Sequence, residues 1–388
     1  MISLDKIIRS VGRSILYLLL FLACFNFLGR GPVIFLAFSV FGIIANRQRS
    51  WNTICALYLF LSTFAIIASL MFYELEETLK CFVFFLSFYA GYCIYNSSLE
   101  KETVLNRLLF LGVLGFVANL VFTSYVNFVI IGHVEGNRTL INPWTLDPIA
   151  VTLVGLMSSV PLAYSFYCIF CRREIIMKIV GGAFLVLSVW INMQTATRTP
   201  FLLAGIVYVI MLYEIRKSIK RNKTRIIVVI VLGYFLIDRL LASVSDSAIA
   251  DRFANDGVKT SRLDIIMYYM GQMFNYPWGG GFAQKHYYRM AHNVIQETYD
   301  NYGFFFFVTL ITILLGMLGR IIRLHKRQNK SPFLLMSLAF YLAILIQLML
   351  EPVTAGYPQL LWFLFLIDGI IVGALADRES NLLQKRTI

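Results

Sequence analysis

Apolar residues recur along this chain in runs long enough to cross a lipid bilayer, and short polar segments separate them. A hydrocarbon layer of about 30 Å requires about 20 helical residues. The runs predict twelve spans, at 14–28, 32–46, 51–73, 79–97, 105–126, 148–170, 175–193, 199–215, 226–245, 303–320, 332–350 and 360–376. We therefore expect an all-α polytopic membrane protein whose residues 1–388 form one membrane domain.

The longest polar interval reaches from Ser245 to Tyr302, between two of the last predicted spans. Within it, residues 261–264 read Ser-Arg-Leu-Asp, the form of a helix capping box. Apolar residues follow at helical spacing until Pro277 ends the pattern. We expect residues 246–302 to form an extramembrane loop that contains short amphipathic helices and the active-site residues.

A second helix is expected later in the same interval. If it runs from His292 straight into the next span, the helical repeat places His292, Gln296, Tyr299 and Gly303 on one face. An imidazole titrates near neutrality, so a group suited to proton transfer would head this polar stripe. A lone histidine is more often structural than catalytic, and that alternative stays open.

Composition and charge agree with a membrane protein. Of all residues 59% are hydrophobic and 14% charged, whereas a soluble domain carries about 25% charged residues. Most of the 34 Lys and Arg residues fall in alternate connections, which predicts that both termini are cytoplasmic. The net charge of +13 is then a topological signal and an attraction to anionic membrane lipids, and nucleic acid is not an expected partner. The first residues show no A-x-A cleavage pattern, so we expect the N-terminal segment to be retained.

Cysteines and common motifs give no sign of a metal or another cofactor. All six cysteines lie in or at the ends of predicted spans, and Cys168 and Cys171 form a lone C-x-x-C without the second pair that a zinc site requires. The sequence has no Walker motif, no G-x-G-x-x-G and no H-E-x-x-H. We expect chemistry without a cofactor.

Two arginines stand where predicted helices begin. Arg262 lies in the first turn of the amphipathic helix, where its guanidinium and the free backbone N–H groups would together favour an anion such as phosphate. Arg198 precedes a candidate cap, Thr199, and Pro200, which suits a first helical turn. The alternatives are that Arg198 reaches to lipid headgroups and that Arg262 belongs to the surface of an interfacial helix.

Asp368 is an acid at membrane depth in the last predicted span. It lies about eight residues below the outer end of that span, roughly 12 Å deep at 1.5 Å per residue. An intramembrane acid is a functional candidate by default, so a proton-coupled role stays open.

Three segments together resemble the bacterial O-antigen polymerase and O-antigen ligase family of GT-C-type membrane glycosyltransferases. The first is Thr197-Arg198-Thr199, which is similar to the family's arginine-bearing turn. The second is Ser261-Arg262-Leu263 followed by the Asn-Tyr-Pro-Trp-Gly-Gly-Gly of residues 275–281. The third is His292-Asn293, then nine residues, then Gly303. The resemblance covers roughly residues 190–310.

Members of that family act on glycans linked to undecaprenyl pyrophosphate, at the periplasmic face of the bacterial inner membrane. The resemblance therefore implies a metal-independent, inverting transferase in which His292 is the general base and Arg198 and Arg262 hold the pyrophosphate. It implies substrate contacts for a further set of residues: Arg138, Arg289, Asn293, Gln296 and Trp278. Fixed arginines suit a charged leaving group, and an imidazole suits activation of an acceptor hydroxyl. Trp278 is expected to stack on a sugar, unless it is only an aromatic of the membrane interface.

Polymerases and ligases of this family differ in the acceptor, which is a new lipid-linked repeat unit or the lipid A core. Phe306 stands where ligases usually show Gly, Thr or Tyr, and the connection 281–291 is short, so polymerase is the favoured interpretation. A chain-length regulator protein would then be a partner. Ligase is the first alternative, and a lipid-linked sugar flippase is the second. Against the flippase, no internal repeat of the kind that transporters show is visible.

Overall fold

The computed structural model describes residues 4–46, 51–97, 101–132, 139–195, 197, 199–219, 262–287, 291–326, 332–353 and 357–386. These residues form thirteen α-helices and one two-stranded sheet. The helices are α1 (Leu4–Cys24), α2 (Gly31–Ala45), α3 (Thr53–Phe72), α4 (Leu75–Ser97), α5 (Lys101–Ser124), α6 (Thr152–Cys171), α7 (Ile175–Gln194), α8 (Thr199–Ile219), α9 (Arg262–Gln272), α10 (Phe282–Tyr287), α11 (Val294–His325), α12 (Pro332–Leu350) and α13 (Pro358–Arg386). A 3₁₀ turn (Phe27–Gly29) joins α1 to α2, and a π-helical stretch (Tyr125–Ile130) continues α5.

Eight of the described helices are long and apolar enough to cross a membrane: α3, α4, α5 with its π-helical continuation, α6, α7, α11, α12 and α13. Shorter apolar helices lie within α1, α2 and α8. The architecture is therefore that of a mainly helical polytopic membrane protein, as the hydropathy pattern predicts. Eleven of the twelve predicted spans overlap these helices, and the ninth, at 226–245, lies outside the described residues.

The last span, α13, forms the centre of the bundle, and α4 packs closely along it. Trp362 and Phe363 of α13 are fully buried. At the crossing, a Cβ placed on Gly369 would lie 2.0 Å from the carbonyl oxygen of Phe88, and one placed on Gly91 would lie 2.1 Å from that of Leu366. Only glycine allows the two backbones this close, which is the usual means of tight helix packing inside a membrane.

Several connections meet at one end of the bundle, where α1, α3, α5, α7 and α12 end and α11 begins. We call it the His292 end. Tyr357, just before α13, donates a 2.6 Å hydrogen bond to the carbonyl oxygen of Cys24 at the end of α1. Tyr73, just after α3, donates one of 3.2 Å to Asn301 of α11. These contacts between distant segments fix the geometry of the His292 end.

A β-hairpin at the His292 end was not predicted from the sequence. Strands β1 (Thr139–Ile141) and β2 (Pro148–Ala150) pair antiparallel, and α6 begins only after them, at Thr152. The side chain of Asn127 accepts from the backbone N–H of Ile141 and donates to its carbonyl oxygen. The predicted start of a span at residue 148 was therefore four residues early, and the described chain is not entirely helical.

The helix after His292 differs from the straight helix predicted. It begins at Val294, with Asn293 as its cap, so His292 lies before the helix and does not head a helical stripe. Gly303 adopts φ 82° and ψ −173°, which interrupts α11 and bends its course. The interruption is stabilised by the loop before α10, because Phe304 donates its backbone N–H to the carbonyl oxygen of Pro277 at 2.8 Å. Glycine suits this break since positive φ strains other residues.

Asp368 is part of a buried ion pair. Its two carboxylate oxygens accept from Nε and Nη2 of Arg320, each at 2.7 Å, and from the hydroxyl groups of Tyr58 and Tyr341. The cluster joins α3, α11, α12 and α13. Arg320 is the last residue of the span predicted at 303–320, and in the structure it lies within α11 and is buried. With four donors around its carboxylate, Asp368 has the setting of a structural ion pair.

Candidate functional site

The predicted site residues are described to different extents. Three arginines lie outside the described residues: Arg138, Arg198 and Arg289. Arg262 is the first residue of α9, and its side chain is outside the description. The four others are described with their side chains: Trp278, His292, Asn293 and Gln296.

His292 lies beside a buried acid that the sequence analysis missed. Its Nδ1 is 3.9 Å from Oε2 of Glu351, with 26% of the histidine side chain exposed and 2% of the glutamate side chain. At that distance the two groups form an ion pair when the imidazole is protonated, and the burial of Glu351 limits screening by water. A partly accessible imidazole next to a buried carboxylate can accept a proton and hold it.

Glu351 also contacts the start of α8. It follows directly after α12, and its Oε1 accepts a 2.8 Å hydrogen bond from the hydroxyl group of Thr199. Thr199 had been predicted to cap α8, but it is the first residue of that helix and its hydroxyl is directed to the acid. The carboxylate of Glu351 thus joins His292 to the residue next to Arg198.

The turn before α8 is held from its other side as well. Thr197 donates its backbone N–H to the carbonyl oxygen of Asn192 at 3.0 Å, and its hydroxyl group donates to Oδ1 of Asn192 at 2.5 Å. Asn192 in turn donates to Ser158 at 2.9 Å. Thr197 and Thr199 flank Arg198, and both are buried and hydrogen-bonded. Thr197, Thr199 and His292 therefore belong to the same end of the bundle.

A second buried acid fixes the chain after Glu351. Oε2 of Glu297, in the first turn of α11, accepts a 2.8 Å hydrogen bond from the backbone N–H of Val353. Val353 lies two residues after Glu351, and Glu297 lies five residues after His292. This bond keeps the two segments that bear His292 and Glu351 side by side.

The amides of Asn293 and Gln296 serve structural contacts. Oδ1 of Asn293 accepts from the backbone N–H of Gln296 at 2.8 Å, which caps α11. Nε2 of Gln296 donates to the carbonyl oxygen of Ile266 at 2.9 Å and so ties α9 to α11. The predicted substrate contacts of these two residues stay predictions. In the structure their amides position the start of α11 and hold α9 against it.

Trp278 lies on the outer surface of the bundle. Its side chain is exposed, and its ring centroid is 6.0 Å from that of the half-exposed Phe305. The glycines that follow it belong to the loop that supports the break in α11, since Gly280 and Gly281 donate to the carbonyl oxygens of Asn301 and Asp300. The loop thus orients α11 from one side, while Trp278 points outward.

Tyrosines near the site retain their protons. Burial raises the pKa of the Tyr269 hydroxyl in α9, and the negative charge of Asp300 raises it further. Burial and Asp300 likewise raise the pKa of Tyr73. Neither phenol is ionised near neutral pH, so neither serves as a base there. His292 and Glu351 are an imidazole and a carboxylate that lie side by side at this end.

Within the described ranges, no three His, Cys, Asp or Glu residues come together in a way that would hold a metal ion. Comparison with known proteins finds no matching family model and no matching curated sequence.

Gln347 is a buried amide one helical turn before Glu351. It is fully buried, and among the described residues neither its Oε1 nor its Nε2 has a hydrogen-bond partner. Leaving a buried polar atom unpaired costs about 1–3 kcal/mol. We expect Gln347→Leu, which keeps the volume, to raise the free energy of unfolding by about 1 kcal/mol, measured by thermal unfolding in detergent.

Gln347→Ala serves as the comparison for this prediction, because it removes the amide but leaves a cavity that cancels the gain. A loss of stability in the leucine variant would contradict the prediction, since it would mean that the amide is hydrogen-bonded in solution.

Proposed function

We propose that this protein is a membrane glycosyltransferase that transfers a glycan from undecaprenyl pyrophosphate to an acceptor hydroxyl. His292 is the general base, and the carboxylate of Glu351 orients the imidazole and stabilises its protonated form. The observation that supports this most is the ion-pair geometry of His292 and the buried Glu351, 3.9 Å apart, with Glu351 bonded to Thr199 of the Thr-Arg-Thr turn. A buried carboxylate beside an imidazole stabilises the imidazolium that proton transfer creates.

In the proposed reaction, the acceptor oxygen forms a bond to the anomeric carbon while the bond from that carbon to the pyrophosphate oxygen breaks. The hydroxyl proton passes to the His292 nitrogen that does not face Glu351. Attack opposite the leaving group inverts the anomeric configuration. Arg198 and Arg262 are assigned to the departing pyrophosphate by the family resemblance, because bidentate, permanently charged donors neutralise such a group without a metal.

We favour polymerase, in which the growing chain moves from its lipid to the non-reducing end of a new lipid-linked repeat unit. Phe306 is fully buried, with its ring 5.6 Å from Phe84 and 4.7 Å from Tyr302, so its place here is in the core. The preference over ligase thus rests on the family resemblance. The same proposal places the protein in a bacterial inner membrane with cytoplasmic termini, a periplasmic His292 end and a chain-length regulator as partner.

The test is glycan lengthening by the purified protein in detergent. Undecaprenyl pyrophosphate-linked repeat units are supplied, and products are separated by length and identified by mass spectrometry. We expect a ladder of products and release of undecaprenyl pyrophosphate. Transfer only after addition of lipid A core would indicate the ligase alternative. No product with either acceptor, together with lipid movement in sealed vesicles, would indicate the flippase and overturn the proposal.

A further inference from the structure

The helix α9 has two apolar faces, of which the described protein covers one. Ile265 and Tyr269 are buried and pack with Ala283 and Ala291 in a small cluster of their own. On the other side Met267 and Met270 are exposed, and Phe274 just beyond the helix is 81% exposed. In a soluble setting such a group of large apolar side chains would require a partner.

Four residues after Phe274, a further exposed aromatic side chain adjoins the outer surface of the spans. Trp278 is 62% exposed, and its ring lies 6.0 Å from that of Phe305 on α11. Phe305 stacks on Phe64 of α3, with ring centroids 5.5 Å apart. Both α3 and α11 are long and apolar enough to cross a membrane. Their outer surfaces are therefore suited to contact with the hydrocarbon layer of the bilayer.

We propose that α9, together with Phe274 and Trp278, lies in the membrane interface with Met267, Met270, Phe274 and Trp278 among the upper parts of the lipid chains. Short amphipathic helices with bulky apolar side chains on one face occupy this layer, and tryptophan prefers it. Residues that the sequence analysis assigned to an extramembrane loop are thus partly immersed.

The proposed immersion bears on the site through one bond. Gln296 of α11 donates to the carbonyl oxygen of Ile266 in α9 at 2.9 Å, and Gln296 also bonds the Asn293 cap next to His292. A helix anchored in the lipid therefore sets the height of His292 relative to the bilayer. The inference concerns where α9 lies, and it holds whatever reaction the site performs.

The experiment measures the depth of Trp278 by fluorescence quenching in phosphatidylcholine vesicles. The full protein and Trp278→Phe are reconstituted in lipids brominated at carbons 6 and 7, in lipids brominated at carbons 11 and 12, and in unbrominated lipids. The difference between the two proteins reports Trp278 alone, because the other four tryptophans are common to both. We expect this difference signal to be quenched at least twofold more by the shallow bromines than by the deep ones, and to resist aqueous iodide.

Two results would overturn the proposal. Quenching by iodide without quenching by bromine would place Trp278 in water. Insensitivity to both would mean that protein, such as a second copy of this chain, covers the face. Phe274→Trp in the Trp278→Phe background provides an independent second reporter, and it should show the same shallow quenching.

Discussion

His292→Ala is expected to reduce the rate of glycan transfer by about 10²–10⁴-fold, because it removes the group that takes the acceptor proton. Insertion and folding should be unaffected, since the imidazole is partly exposed and α11 is capped by Asn293. Initial rates of lengthening in detergent measure the effect. His286→Ala is the matched control: His286 is an exposed histidine at the same end of the bundle, and its loss should leave the rate unchanged.

Glu351→Gln should lower the same rate by at least tenfold while keeping the hydrogen bond from Thr199, because the amide oxygen still accepts it. Without the carboxylate charge near Nδ1, the imidazolium that proton transfer creates loses its stabilising partner. Glu74→Gln, at an exposed acid of the same end, should leave the rate unchanged. If the His292 or Glu351 variants matched the wild type in rate, that side chain would have no place in the mechanism.

Asp368→Ala is expected to cause the largest loss of stability of any single change considered, about 3–5 kcal/mol in the free energy of unfolding. The variant leaves the Arg320 guanidinium buried without a counter-charge and removes the acceptor of two tyrosine hydroxyls. Reversible unfolding in detergent, together with the yield of monodisperse protein, measures the effect.

The double variant Arg320→Met with Asp368→Leu should recover most of that loss, because an apolar pair of similar volume replaces the two charges. Glu174→Gln provides the contrast: Glu174 pairs with Arg172 at 3.1 Å but is exposed, so water and salt screen the pair and its loss should change the stability little. Near-wild-type stability of Asp368→Ala, or a double variant as unstable as the single one, would contradict a structural ion pair.

The spans could be predicted from the sequence because hydropathy is a local property, whereas the buried contacts of the first turns of α11 could not. Residues 294–302 contain Gln296, Glu297 and Asp300, which remove the apolar signal. Each finds a partner from another segment: Ile266, Val353 and the backbone of Ala283. A local pattern does not reveal such distant partners, so the apolar span was predicted only from residue 303, and only helical spacing extended the helix back to His292.

The same limit applies to the site. Glu351 and Thr199 are 152 residues apart, and Arg320 and Asp368 are 48 apart. Glu351 did have a local signal, since it is an acid directly after an apolar span. An acid in or next to a membrane span is a functional candidate. It was missed because the predicted span ended at residue 350, one residue before it.

The break at Gly303 is pinned from both sides by one loop. An unbroken rod turns as a whole when bilayer thickness changes and the span adjusts its angle to match. Here two glycines of the loop donate to carbonyl oxygens before the break, and Phe304 after the break donates to Pro277 of the same loop. A change in the tilt of the span would therefore have to strain these bonds, so the loop resists reorientation of the segment that follows the imidazole.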